Sequence, residues 1–506
     1  MRRIFSLILA LMAVQMMWAA PYTVTNTSDD VEEEGSLRWA CKTATANDTI
    51  VFKFSTKGDK TIHISSYLTT NASIDGSTWA DSIIIDGYDE ENGTKAIFGG
   101  LNGTGPFVKN IIVQNCYNGI TPSSGTILYD CIARDCTRNG YDCSSGTVSF
   151  IRCQSLNNGY SGIFLYGSAL GLFENCIVFD NAEYGIRGGG ILRNCEIYNN
   201  KIGLYLPSAT TCDEIKECVI SGNDSIGVLT ESIVELFSDN IIGLSADQKD
   251  INPNGYGIYS RAGITNFVNN VVSGNKKDGI FDQSRIGIEY MTDNYIGTNK
   301  YFDENPMLGN IGNGYVPKSD PYGDIKDFSH NYFGNNGEYG IYLNTSSYHA
   351  TFNECYFGIT PDGRPMPNGK GGLKVGFYYL TLKDCHIGYN EGVGLEYTRS
   401  GGDLKVSGGK IVYNKKDGVL LDLNTNYLEV ADVIFDSNGK SAITLNTQHS
   451  FTSLLSNNKF LNTVRPYPAF ETTDPYPVPE FTSCKMTEKT IVIEGKIDTA
   501  AKAKIT

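Results

Sequence analysis

From residue 110 to the mid-460s, apolar and polar positions follow a short frame that keeps restarting: a Cys or Asn, one residue, an Ile, Val or Phe, two residues, an Asn, then Gly-Ile. Residues 176–186 (CIVFDNAEYGI), 270–280 (NVVSGNKKDGI) and 331–341 (NYFGNNGEYGI) carry it in full. Its first position recurs from Asn110 through Cys131, Cys153, Cys176, Cys195, Cys218, Asn240, Asn270, Asn294, Asn331, Cys355, Cys385, Gly409 and Asp432 to Asn458. Most steps are about 19 to 26 residues and three are longer. That period fits one coil of three short strands and three turns, and it is too short for propeller blades or helical pairs. The pattern predicts an all-β chain, a right-handed single-stranded parallel β-helix of about 15 coils.

Parallel coils stack equivalent residues roughly 4.8 Å apart, so each frame position becomes a ladder. Asn115, Asn158, Asn181, Asn200, Asn223, Asn275, Asn299, Asn336, Asn390 and Asn414 make one ladder, whose amides bond from coil to coil. Glycines such as Gly140, Gly162, Gly185 and Gly203 take the next corner, where they are expected to supply backbone angles that other residues resist. Seven cysteines stand on the first ladder, and Cys41, Cys116, Cys136, Cys143, Cys212 and Cys484 lie off it. In-register neighbours point the same way, a poor geometry for a disulfide, so the ladder thiols are read as small buried hydrophobes.

Length changes the picture little: 506 residues need either several domains or one repetitive architecture. The net charge of −15 argues against nucleic acid or an anionic membrane as partner. Residues 1–20 read as a signal peptide, with Arg2 and Arg3 before an apolar run at 4–18, and predict a secreted or cell-surface protein. No later segment is apolar enough to span a bilayer. Residues 21–100 are assigned to an N-terminal cap and first coils, with a short helix at 35–44 capped by Ser36 and a strand at 49–54. Residues 101–463 are the repeats, 464–480 a linker with five prolines, and 481–506 the start of a small β module. The stretches YTVTNTSDD, GSLRWA and NDTIVF resemble the N-terminal signature of a family of secreted bacterial β-helix proteins, departing from it at Cys41 and in the acidic insert 30–34. The coils resemble the pectate-lyase-like superfamily, which implies a fold more firmly than a reaction.

Chemistry is harder to place. Inserts at 243–256, 297–313 and 358–371 follow the same cue in three coils, so they should leave one corner at alternate coils, either as structural decoration or as a binding rim. After each glycine and its inward aliphatic, alternation sends the next residue out: Phe164, Arg187, Tyr205, Leu229, Tyr259, Phe281, Tyr342, Lys374 and Glu396. Together with Arg261, these residues, Leu229 excepted, are the candidate ligand-binding set. Exposed rings in a row suit sugar C–H faces, with Arg, Lys and Glu for hydroxyls or carboxylates; equally, stacked rings could simply stabilise the sheet. The Asp-Asp and Gly-His-Gly motifs of polygalacturonases and the Asp-Pro-His-Glu of uronate epimerases are missing from the coils. A lyase built on Lys374 and Glu396 with Arg261 or His349 would be unspecific, and no catalytic residue is assigned. The histidines show no metal-ligand spacing and no cofactor is implied, although calcium held by Asp247, Asp250, Asp303 or Asp362 stays open. Two readings follow. The leading one is a non-catalytic, monomeric binder of polysaccharide or cell-surface glycan along one long face. The alternative is a polysaccharide lyase or glycoside hydrolase.

Overall fold

A computed structural model describes residues 21–89, 93–95, 99–303, 305–317, 325–343, 349–421, 425–445, 452–462, 469–470, 480–486 and 491–496. The predicted signal peptide and most of the proline-rich linker lie outside these residues. Three parallel sheets wrap one elongated core, and each strand pairs with its equivalent one coil further on. Thus Thr147–Ile151 pairs with Leu170–Glu174 in the first sheet, Gln154–Leu156 with Ile177–Phe179 in the second, and Ser161–Leu165 with Tyr184–Arg187 in the third. The described residues make 17 coils rather than about 15. The two extra coils lie within 49–102, where parallel strands form without the Asn and Gly-Ile frame.

Single residues in the left-handed region make the corners. Asp130, Arg152, Asn175 and Asn194 (φ 50–56°) turn the chain from the first sheet into the second, and Asp135, Asn157, Asp180 and Asn199 (φ 53–56°) turn it out again. Short polar side chains bond locally and tolerate this conformation, which is why Asn and Asp recur there. The column glycines do something other than expected: Gly140, Gly162, Gly185 and Gly203 do not have positive φ. They are glycine because a β-carbon at Gly185 would sit 2.6 Å from the Gly203 carbonyl oxygen and 2.8 Å from Asn200 Nδ2.

Register corrects the ladders by one residue in places. Ile111 and Val433, not Asn110 and Asp432, share the rung line of the cysteines; Asn110 (φ 51°) and Asp432 (φ 59°) are the corner residues beside them. Asn115 is likewise a corner, and Cys116 and Cys136 occupy the first rungs of the second ladder, fully buried. From Asn158 the amide column runs through Asn181, Asn200, Asn223, Asn254, Asn275, Asn310, Asn336, Asn368, Asn390 and Asn414 to Asn438, each Nδ2 donating to the next Oδ1 at 2.8–3.1 Å. Asn299 is not in it. Of the four missed rungs, Asn254, Asn310 and Asn368 sit at the far ends of the three inserts, and Asn438 ends the column. The twelve cysteines from Cys41 to Cys385 are buried free thiols. Inside, equivalent phenylalanines stack, Phe150 on Phe173 at 4.9 Å and Phe333 on Phe357 at 5.1 Å.

The helix Leu37–Thr43 closes the N-terminal end. Ser36 Oγ accepts the Trp39 N–H at 3.0 Å, and Leu37, Ala40 and Cys41 are buried against the first coil. The inserts leave the corner between second and third sheets at alternate coils and lie back over the second sheet. There Leu244, Val271 and Leu308 form a small second core outside the coils. Asn299 Nδ2 donates to the Gln248 carbonyl at 3.1 Å and Arg364 Nη1 to the Phe302 carbonyl at 3.3 Å, tying the three inserts together. Further along the chain, Glu480–Met486 and Ile491–Lys496 pair antiparallel.

Candidate functional site

One register row on the outer surface of the third sheet collects nearly every candidate residue. Asp142 pairs with Phe164, then Arg187, Tyr205, Leu229, Tyr259 and Phe281 follow on consecutive coils. The row continues through Val316, Tyr342, Lys374 and Glu396 to Leu420. Val316 was hidden by the second insert. Tyr205 and Tyr342 are five strand spacings apart, about 24 Å at roughly 4.8 Å each. A second outward line, including Tyr184, Tyr256 and Tyr339, runs beside it and thickens the aromatic surface. Tyr184 stacks on Tyr205 at 5.4 Å, Tyr256 meets Phe281 at 5.5 Å, and Tyr339 stacks on Tyr342 at 5.5 Å.

The row is not uniformly open. Phe164, expected to be an exposed ring, is only 5 % exposed, because Tyr166 (4.3 Å) and the Arg187 guanidinium (4.4 Å) cover it. Leu229 is also buried. Tyr205, Tyr259, Phe281 and Tyr342 remain partly exposed.

A polar brace holds the middle rings. Tyr205 Oη donates to Glu231 Oε2 at 2.7 Å, and Arg261 Nη1 donates to Glu231 Oε1 at 2.6 Å while its guanidinium lies 5.2 Å from the Tyr259 ring. Burial and the Glu231 contact push the Tyr205 hydroxyl up to about 12. Tyr259 Oη donates to Gln283 Oε1 at 2.9 Å. Beside the brace, at the corner leading back to the first sheet, Thr210, Asp213, Glu231, Ser232 and Glu235 line a cleft of about 480 Å³. A second cleft of about 650 Å³ follows the amide column between Lys95 and Asp224 and holds none of the candidate ligand-binding residues.

The lyase grouping does not assemble. Lys374 Nζ is bonded to Glu396 at 2.7 Å, Arg261 stands four coils away, and His349 stacks on Tyr379 at 4.5 Å on the first sheet. Among the described residues no three His, Cys, Asp or Glu side chains gather as metal ligands. Asp247 accepts from Ser245 Oγ at 2.6 Å within its own turn, and Asp362 holds Arg364 Nε at 2.8 Å.

Residues 141–294 and 322–468 match the right-handed β-helix region. The chain belongs to the right-handed β-helix family. No curated protein sequence matches this β-helix. Among solved structures it is similar to the A-module of mannuronan C-5 epimerase AlgE4 from Azotobacter vinelandii, at 12 % identity over 90 % of this chain and 100 % of that one, with TM-score 0.30. Tailspike protein 3 of bacteriophage CBA120 follows at 12 % identity, 88 % and 62 % coverage and TM-score 0.26. The catalytic unit of a GH87 α-1,3-glucanase from Streptomyces thermodiastaticus gives 10 % identity, 90 % and 71 % coverage and TM-score 0.25. At these scores and identities the likenesses carry no functional weight.

The β-helix also groups residues that sequence reasoning missed. Arg138 Nη2 donates to Tyr166 Oη at 2.9 Å, and Asn139 Nδ2 to Asp142 Oδ2 at 2.7 Å. Burial pushes the Asp142 carboxyl up. Asp142 occupies the same place after Gly140-Tyr141 that Phe164 occupies after Gly162-Ile163, so a frame allowing Tyr for Ile would have found it.

Proposed function

We propose that this is an exported protein that binds a saccharide chain along the outer face of the third sheet. The observation that carries the reading is the row of partly exposed rings, Tyr205, Tyr259, Phe281 and Tyr342, in line on one face and braced by Glu231, Arg261 and Gln283. Rigid rings offer apolar faces to sugar C–H groups at little entropic cost, and the adjoining cleft offers hydroxyls and carboxylates. Export is supported by Arg2, Arg3 and the apolar run at 4–18, and by the N-terminal stretch that resembles secreted β-helix proteins.

A second reading, hydrolysis or elimination within the cleft, is favoured by Asp213, Glu231 and Glu235 around it. Binding is preferred because each Glu231 oxygen already accepts a donor, and Lys374 and Glu396 neutralise one another.

Affinity electrophoresis and product analysis on a panel of acidic and neutral polysaccharides, with the Tyr205→Ala/Tyr259→Ala double variant, decide the matter. Binding should weaken roughly tenfold or more while the melting temperature moves little, since neither ring is core. A lower melting temperature with unchanged affinity would reduce the rings to sheet stabilisers. New reducing ends or unsaturated products would assign the second reading.

A further inference from the structure

Most cations on this face are bound to acids. Arg261 is held by Glu231 at 2.6 Å, Lys374 by Glu396 at 2.7 Å, Lys370 by Glu338 at 2.6 Å and Lys201 by Glu183 at 2.9 Å. Two guanidiniums at the N-terminal end of the row are not. Arg187 lies between rings, 4.4 Å from Phe164 and 5.5 Å from Tyr205, and bonds no carboxylate among the described residues. The Arg138 guanidinium donates to the neutral Tyr166 hydroxyl at 2.9 Å and forms no ion pair among the described residues. The Tyr166 and Phe164 rings, 4.3 Å apart, join the two arginines into one patch. Both arginines are half-buried, so their positions are fixed while part of each donor fork faces outward. The acid whose field reaches Arg138 is Asp142, which is 6 % exposed and bonded by Asn139. Burial pushes its carboxyl up, while the Asn139 bond and the Arg138 charge pull it back.

We infer that Arg138 and Arg187 form an oxyanion subsite and that the saccharide bound along this face is acidic, bearing carboxylate or sulfate groups. The inference rests on the saccharide reading above. A chain with net charge −15 attracts no polyanion overall, so recognition of one has to come from such unpaired, pre-positioned guanidiniums.

Matched polymers test it: polygalacturonate against its full methyl ester for carboxylate, and dextran sulfate against dextran for sulfate. Titrated by calorimetry, the full chain should hold at least one acidic polymer roughly tenfold or more tighter than its neutral partner, and Arg138→Gln/Arg187→Gln should bring that ratio to about one. Whichever pair shows the ratio identifies the anion. Where the double variant fails to fold, Arg187→Lys replaces it: the charge stays, the planar fork goes, and the ratio should fall part of the way. Preference for the acidic polymer should also shrink between about 50 and 500 mM salt. Equal binding of acidic and neutral partners, or a ratio indifferent to both arginines, overturns the subsite and leaves the saccharide face standing. If none of these polymers, nor any of the wider panel, is bound by the wild type, the saccharide reading itself fails.

Discussion

Asn223 shows how much one buried amide does here. Its Oδ1 accepts the Asn200 backbone N–H at 3.0 Å and the Asn200 amide at 3.1 Å, and its own Nδ2 donates to Asn254 at 2.9 Å and to the Ile197 and Ser221 carbonyls at 3.2 Å. Asn223→Ala strands several of these groups without water, and each costs about 1–3 kcal/mol. The urea midpoint should therefore fall by the equivalent of about 3 kcal/mol or more; an unchanged midpoint would mean that the rungs act alone. Asp282 gives a pH-dependent case. It is 1 % exposed, accepting from Ser284 N at 2.9 Å and Tyr315 Oη at 3.3 Å, and burial pushes its carboxyl up. The folded state thus keeps a proton that the unfolded chain releases. Its contribution is complete below the ordinary carboxylate range and is lost as pH rises through the raised value. Asp282→Asn removes that loss, so denaturation from about pH 4 to 8 should show the variant gaining on the wild type as pH climbs. A gap independent of pH would contradict this assignment.

At the scale of elements, the inserts behave as a layer with its own core. Leu308→Ala removes one of the three side chains of the Leu244–Val271–Leu308 core, at a cost of about 2–5 kcal/mol for a fully buried leucine. Because that core lies outside the coils, loosening should stay local. Hydrogen exchange should quicken at 244–251 and 299–308 and hold steady in the third sheet; quickening throughout would mean that the layer braces the solenoid. The third-sheet face was legible in the sequence because its Gly-Ile pair repeats with one residue at each place. The corners were not, because Asn serves two purposes side by side. In Asn157–Asn158, Asn199–Asn200 and Asn335–Asn336 the first residue is the left-handed corner and the second is the rung, and composition cannot tell them apart. The Arg138–Tyr166 pair was illegible for another reason. It spans coils, and its geometry depends on where two long side chains end rather than on register.

For the whole molecule, the parallel stack sets what is free and what is constrained. One end is closed by a helix that fits only there, whereas the middle coils repeat the same contacts up and down the axis. Each amide in the column presents an acceptor to the coil before and a donor to the coil after, so any rung fits any other. The length of this protein is therefore not written into its fold. Excising residues 181–199 removes one complete turn and leaves Asn158 to meet Asn200 as it now meets Asn181. The shortened chain should fold with one coil fewer, visible as a shorter particle by small-angle scattering and a single cooperative transition; collapse to an unfolded or aggregated chain would show that the coils carry individual addresses. Since the excised turn contains Arg187, it would also lack half of the oxyanion patch. A solenoid of interchangeable turns can gain or lose recognition by counting, one coil at a time, without redesigning any contact that holds it together.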